Sequence, residues 1–386
     1  MQKKSVVQLW LLWVMLFSSS FAIGQPPRGP LAISPQIHPD NKVTFRYQAP
    51  SAKEVKLSAQ FEKGSVAMTK EANGIWNVTV GPVKPDIYAY NFVVDGISVM
   101  DPANVAFFPN ERFKASLVDI PGQTPLIHTM KDVPHGSVIY EYYPSVSGTT
   151  GSLVVYTPPG YDKDAGKKYP VFYLISGTTD TEETFFKVGR TNVILDNLIA
   201  EGKAKPMIVV MPNGNIEARI AEQKGGPKPA DPADREGQEA ITRAINFEAD
   251  LTKNIIPYIE KNYRTLNNKD NRAIGGFSRG GGETLRAAFS NMDKFSYVCS
   301  YSAYLSPKEM EARYKPIIEN PNRINQQLKL LWISVGDDDF LYKSTVEFMD
   351  FLKAKKVYYK SLVTDGGHTW MNTRAYLTQT AQLLFK

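Results

Sequence analysis

Residues 274–285 read "IGGFSRGGGETL". Ser278 stands between glycines; an apolar run, "NRAIGGF" (271–277), leads into it, and "GETLRAAFSNM" (282–292) follows with apolar residues at helical spacing. The local pattern is strand, sharp turn, helix. Gly276-Phe277-Ser278-Arg279-Gly280 matches G-x-S-x-G, the turn that holds a nucleophilic serine in a strained backbone. Glycine is required two residues before and two after, because strand and helix pass closely there. The competing reading is a glycine-rich helix entry that binds an anion. The choice turns on whether the chain also supplies a base, an orienting acid and donors for an oxyanion.

The base is easy to find because histidine is scarce. The chain has four, His38, His128, His135 and His368. The first three lie in or beside an N-terminal β-rich region. His368 sits in "VTDGGHTWMNTR" (363–374), between an expected strand and the last helix, where flanking glycines let an imidazole reach over the sheet edge. The acid is expected between serine and histidine, at the end of a strand. "KLLWISVGDDDFLYKS" (329–344) offers Asp337, Asp338 and Asp339, and spacing alone does not choose among them, since one of them can simply cap the next helix. The oxyanion donors are expected to be the backbone N–H of Arg279 and that of Thr178, in the turn "YLISGTTD" (173–180) after an early strand. The order Ser, Asp, His is that of α/β-hydrolases. With all parts present in order, Ser278 reads as a nucleophile.

Outward from this turn the chain alternates strands and helices. "GSLVVYTPPGY", "YPVFYLIS" and "KPMIVVMPN" are apolar runs of the kind buried on both faces. Helical patterns occur at 192–202, 247–263, 282–292, 344–356 and 373–385. This implies a mostly parallel sheet with helices on both faces, over residues 138–386. The polar segment 214–243, rich in glycine, proline and charge, reads as a long loop, either a substrate-facing lid or a mobile surface loop. Before residue 120 the periodicity is two. Val43, Phe45 and Tyr47 alternate, as do Trp76, Val78 and Val80, and Tyr88, Tyr90 and Phe92; turns are marked at Asn73-Gly74 and Asp95-Gly96. Residues 25–120 therefore read as a small immunoglobulin-like β-sandwich, with 121–137 as a polar link.

The 386 residues are 42% hydrophobic with a formal charge of +6, which fits a globular chain with a sizeable core. No basic stripe with interleaved aromatics points to nucleic acid. The first 24 residues carry Lys3 and Lys4, a short apolar run and small residues at Ala22 and Gly24, the pattern of a cleaved signal peptide. Export to the periplasm or the medium is expected, with no membrane span after cleavage. The single cysteine, Cys299, leaves no lipid-attachment site near the signal end and no intramolecular disulfide. No histidine–cysteine cluster implies a metal, and no cofactor is expected.

The segments "VVYTPPGYDK", "KKYPVFYLISG", "IIPYIEKNYRT", "GGFSRGGGETL", "GDDDFLYKS" and "GGHTWMNTRAYL" resemble bacterial esterases of carbohydrate esterase family 1, the exported feruloyl and acetyl xylan esterases. "VTFRYQAPSAKEVKLS", "GIWNVTV" and "YAYNFVVDGISVMDPAN" resemble the early-set, carbohydrate-binding-module-48-like sandwich that precedes such enzymes. The resemblance implies that Asp339, the last aspartate before Phe340, is the triad acid. It implies hydrolysis of feruloyl or acetyl esters on xylan or xylo-oligosaccharides, without choosing the acyl group. Three positions depart from the family pattern. Ser176 stands where histidine is common. Thr373 replaces a tryptophan expected at a pocket wall. Arg279 stands where methionine is frequent. The alternatives are a siderophore esterase of the same chemistry and a non-catalytic glycan-binding protein with a decayed hydrolase domain. The sandwich is expected to brace the active site rather than bind glycan, because alternating aromatics are first of all packing residues.

Overall fold

The computed structural model describes residues 33–226 and 238–386. The expected signal segment and residues 227–237 of the polar segment lie outside them.

Two antiparallel sheets form the front of the chain. One runs β1 (Gln36–Ile37), β2 (Val43–Gln48), β6 (Ile75–Val80), β5 (Thr69–Lys70). The other runs β4 (Ser65–Ala67), β3 (Val55–Ala59), β7 (Asp86–Val94), β10 (Ala115–Ile120), β9 (Phe107–Phe108), with β8 (Ile97–Val99) also paired to β7. Successive residues of a strand face opposite sides, so the alternating apolar positions collect between the sheets. Val43, Phe45, Leu57, Tyr90 and Phe92 are buried there. The turn expected at Asp95-Gly96 closes the β7–β8 hairpin, with Val94 opposite Ile97. Both turn residues have positive φ, 47° and 87°, as a tight two-residue hairpin requires.

The second sheet has eight strands, in the order β11 (Ser137–Pro144), β12 (Thr150–Thr157), β14 (Ile208–Pro212), β13 (Val171–Ile175), β15 (Arg272–Phe277), β16 (Tyr297–Tyr301), β17 (Leu330–Gly336), β18 (Lys360–Thr364). From β14 to β18 all pairs are parallel; β11 and β12 add an antiparallel edge. Each central strand feeds two cores. Val171, Tyr173 and Ile175 face one with Phe247, Leu285 and Phe348. Phe172 and Leu174 face the other with Ile194, Trp370 and Leu377. Ile87, Phe108 and Leu117 of the front sandwich belong to this second core. The sandwich is thus packed into the α/β unit, not strung beside it.

The sequence reading missed two strands of this eight-stranded sheet. β16 is a short run, Tyr-Val-Cys-Ser-Tyr, interrupted by a small polar residue. β11 is an edge strand with Glu141 at its centre, which breaks the apolar pattern. The hydroxyls of Tyr258 and Tyr263 donate to that carboxylate at 2.7 and 2.6 Å.

The segment 214–243, expected as a long loop, is partly helical. Ile216–Gln223 is a helix, and another begins at Gln238. Ile216 and Arg219, one turn apart, are buried; Arg219 bonds Ser145 and Asp250 at 2.6 and 3.2 Å. The burying face holds few apolar residues, so the periodicity is invisible among glycine, proline and charge. The second helix continues to Asn262 through a π-helical turn at Leu251–Ile255. Pro257 follows that turn. It has no N–H and its ring crowds the carbonyl four residues back, and a widened turn accommodates both.

Candidate active site

The end of β15 meets the helix Arg279–Ser290 at Ser278, whose φ is 57° and ψ −120°. Few non-glycine residues adopt this backbone. It is held by hydrogen bonds on both sides: the Ser278 N–H donates to Tyr301 O at 2.9 Å, and Gly282 N–H donates to Ser278 O at 3.1 Å. Glycine at 280 is obligatory, because a Cβ there would lie 2.2 Å from the carbonyl oxygen of Ile175. The helix therefore presses on the neighbouring strand and lifts the serine above the C-terminal ends of the parallel strands, where open α/β sheets place ligands.

His368 follows β18 and precedes the helix Trp370–Ala381. Its Nδ1 lies 3.0 and 2.9 Å from the two carboxylate oxygens of Asp339. A carboxylate only accepts, so Nδ1 carries the hydrogen and Nε2 is left as acceptor. The ring packs between Phe277 and Phe340, with centroids 4.6 and 4.5 Å away. Burial alone pushes the Asp339 carboxyl up; the hydrogen bond and charge of His368, with the Leu341 N–H at 2.8 Å, outweigh it and hold the group below the usual carboxylate range.

The structure separates the three aspartates. Asp339 faces His368. Asp337 is exposed, and its Oδ1 accepts from Gly366 N–H at 3.0 Å, which steadies the histidine loop. Asp338 is exposed and meets that loop through its backbone N–H, which donates to Gly366 O at 3.1 Å. The close approach depends on Gly336, where a Cβ would sit 2.0 Å from Gly366 O.

Ser278, His368, Gly177 and Thr178 line one cleft of about 360 Å³. No partner for the backbone N–H of Thr178 or of Arg279 is found among the described residues. The loop carrying Thr178 is gripped from the sandwich: Glu111 N–H donates to Thr179 O at 2.8 Å, and the Asn110 amide donates to buried Asp180 at 3.0 Å. Burial pushes the Asp180 carboxyl up to about 7, against the Asn110 bond and the Arg279 charge.

The rest of the cleft is largely apolar and aromatic. Phe277, Phe340 and Trp370 come from the α/β unit; Ile87, Ala89, Phe108, Phe113 and Leu117 come from the sandwich. Sequence reasoning gave the sandwich only a bracing role. It also supplies one wall of the cleft, and the three phenylalanines clustered in "FFPNERF" (107–113) were the available signal. Thr373 corrects a second expectation. It is fully buried, its hydroxyl donates to Thr369 O at 3.0 Å, and the wall residue is Trp370, a turn earlier. Ser176 is 1% exposed and its backbone oxygen packs against Gly280. The Arg279 side chain points away from the cleft mouth, into the loops behind it.

A mixed sheet with a strained serine at a strand end, followed in chain order by a paired aspartate and histidine, defines an α/β-hydrolase fold behind an all-β front unit. The chain belongs to the putative-esterase family, whose profile matches residues 147–382. Residues 30–107 match carbohydrate-binding module 48, the isoamylase N-terminal domain. The chain is 30% identical over 362 residues to an endo-1,4-beta-xylanase/feruloyl esterase of Xylanibacter ruminicola, covering 91% of this chain and 46% of that one. The chain therefore spans less than half of that relative's length. Among solved structures, a ferulic acid esterase of the fungus Anaeromyces mucronatus superposes with a TM-score of 0.54 at 24% identity, over 68% of this chain and 96% of that one. The enterobactin esterase of Shigella flexneri gives 0.58 at 16% identity, over 89% and 92%. At these identities the two likenesses bear on the fold alone, and the second extends it through the front sandwich.

Proposed function

We propose that the chain is an exported serine carboxylesterase that releases feruloyl groups from plant xylan or xylo-oligosaccharides. The observation that carries this reading is the Asp339–His368 pair beside Ser278, at an aromatic-walled cleft of about 360 Å³. An acetyl group needs no such volume. A planar phenylpropenoyl group gains from it, because aromatic surface is buried between Phe340, Trp370 and Phe108. The relative's name, a xylanase joined to a feruloyl esterase, supports the same substrate.

In this mechanism Ser278 Oγ attacks the ester carbonyl and His368 Nε2 takes its proton. Asp339 holds the imidazole by Nδ1 and stabilises its positive charge. The N–H groups of Thr178 and Arg279 receive the oxyanion of the tetrahedral intermediate. Collapse expels the sugar alkoxide, which takes the proton from His368. Water, deprotonated by His368, then cleaves the acyl-enzyme and restores the serine. The front sandwich acts as wall and brace of the acyl site. Residues 1–24 direct export.

The test is hydrolysis of methyl ferulate and 4-nitrophenyl acetate by the wild type and by Ser278→Ala. The expected result is turnover of both esters, a higher kcat/KM for the ferulate, and loss of both activities in the variant. A wild type that prefers the acetate removes the feruloyl assignment. Turnover that survives in Ser278→Ala removes the serine mechanism.

A further inference from the structure

The Arg279 guanidinium is almost buried and joins two loops at the strand ends. Its Nη1 donates to Gly214 O at 3.0 Å, after β14, and its Nη2 donates to Gly177 O at 3.1 Å, after β13. Nη1 lies 3.7 Å from a carboxylate oxygen of Glu283, one helical turn on. Glu283 is 3% exposed, and burial pushes its carboxyl up to about 7 against the Arg279 charge. The space is shaped for it: a Cβ on Gly214 would sit 3.0 Å from the guanidinium.

Gly177 O belongs to the peptide unit whose N–H is that of Thr178. In a planar trans peptide the two groups point in opposite directions. A guanidinium that holds the carbonyl on the buried side therefore turns the Thr178 N–H toward the cleft that Thr178 and Ser278 share. The Asp180 N–H, 3.3 Å from the same oxygen, pulls the same way. A cation on the carbonyl also polarises the peptide and makes its N–H a stronger donor.

We propose that the Arg279 side chain is a positioning residue for the oxyanion hole, orienting and polarising the Gly177–Thr178 peptide. One residue then serves the site twice: its main-chain N–H is one donor, and its side chain sets the other. The inference rests on the serine-esterase reading above and adds a part that the triad does not contain.

The test compares wild type, Arg279→Met, Arg279→Lys and the double variant Arg279→Met/Glu283→Gln on an aryl ester. Methionine keeps most of the volume and loses both hydrogen bonds. The double variant also removes the carboxylate left buried without its partner, so that a folding defect is separated from a catalytic one. Expected is a fall in kcat of roughly 10- to 100-fold in Arg279→Met, short of the loss for deleting a donor outright. KM and inhibition by free ferulate should change less than about twofold. Affinity for an arylboronic acid, which forms a tetrahedral adduct on the serine, should fall with kcat. Lysine should restore part of the rate, and the double variant should recover thermal stability without recovering kcat.

Arg279→Met with kcat within about twofold of wild type overturns the inference. So does a double variant that regains full kcat along with stability, or a loss of ferulate affinity as large as the loss of kcat. The esterase reading fails separately: a wild type that a fluorophosphonate does not label at Ser278 removes that reading, and the inference with it.

Discussion

Arg374 is the clearest place to test how the front sandwich and the α/β unit are coupled. It lies in the helix that follows His368, is 2% exposed, and donates to Val188 O at 2.7 Å, to Ile87 O at 3.2 Å and to the Asp86 carboxylate. Trp370, one turn earlier, and Ile87 and Val188 all line the cleft. Arg374→Met keeps the volume and removes the three bonds. The Val188 carbonyl is left dry, at about 1–3 kcal/mol. The charge-assisted bond to Asp86 is worth less, about 1–2 kcal/mol, because that side chain is 22% exposed and water replaces part of it. Against these, methionine avoids the cost of burying a guanidinium, which here already pulls the Arg374 pKa down. The net expectation is a destabilisation of about 2–4 kcal/mol. Asp86→Asn should cost less, about 1 kcal/mol, and the pair should couple by about 1–2 kcal/mol in a double-mutant cycle. Urea unfolding followed by tryptophan fluorescence measures all four corners. A loss below about 0.5 kcal/mol for Arg374→Met, or additive single variants, would refute the claim that this contact latches the two units.

Other expectations follow from the same geometry. Asp339→Asn should lower kcat by roughly 10³–10⁴-fold with little change in KM, since the amide favours the wrong imidazole tautomer, while Asp338→Asn should remain active; equal losses would mean that the aspartates are not distinguished as described. Phe108→Ala should raise KM for methyl ferulate roughly tenfold and leave 4-nitrophenyl acetate nearly unaffected, and parallel changes in both would show that the sandwich wall does not meet the acyl group. Asp180 has a folded pKa raised to about 7, above its unfolded value, so its contribution to stability is complete at low pH and is lost as pH rises toward and through about 7. Asp180→Asn should remove its share of the decline between pH 4 and 8 and leave the share of Glu283, whose buried carboxyl is also pushed up to about 7; an unchanged slope in unfolding curves would mean that the Asp180 carboxyl ionises freely in the fold.

The turn around Ser278 is legible in the sequence because its causes are local. Backbone sterics demand glycine at 280, and the change of period from two to 3.6 marks strand and helix. His368 emerged because only one histidine stands in the right loop. The Asp95-Gly96 hairpin was equally plain, since two adjacent positive φ angles need those residue types. The helix at Ile216–Gln223 and the strands β11 and β16 escaped notice because polar or small residues occupy positions that only long-range partners bury.

By itself, the sequence determined the two architectures, the sharp turn at Ser278, the one histidine in the right loop and a run of three aspartates. Spacing left the three aspartates open and the family resemblance pointed to Asp339; the tertiary structure brings Gly366 against Gly336 so that the Asp339 carboxylate meets the imidazole. It also placed Phe108 and Ile87 in the cleft wall and turned the Arg279 side chain into the Gly177 and Gly214 loops. Turn chemistry and periodicity act within a few residues of the chain. Partner choice between groups 288 positions apart, as for Asp86 and Arg374, depends on how whole surfaces pack, and no local pattern encodes it.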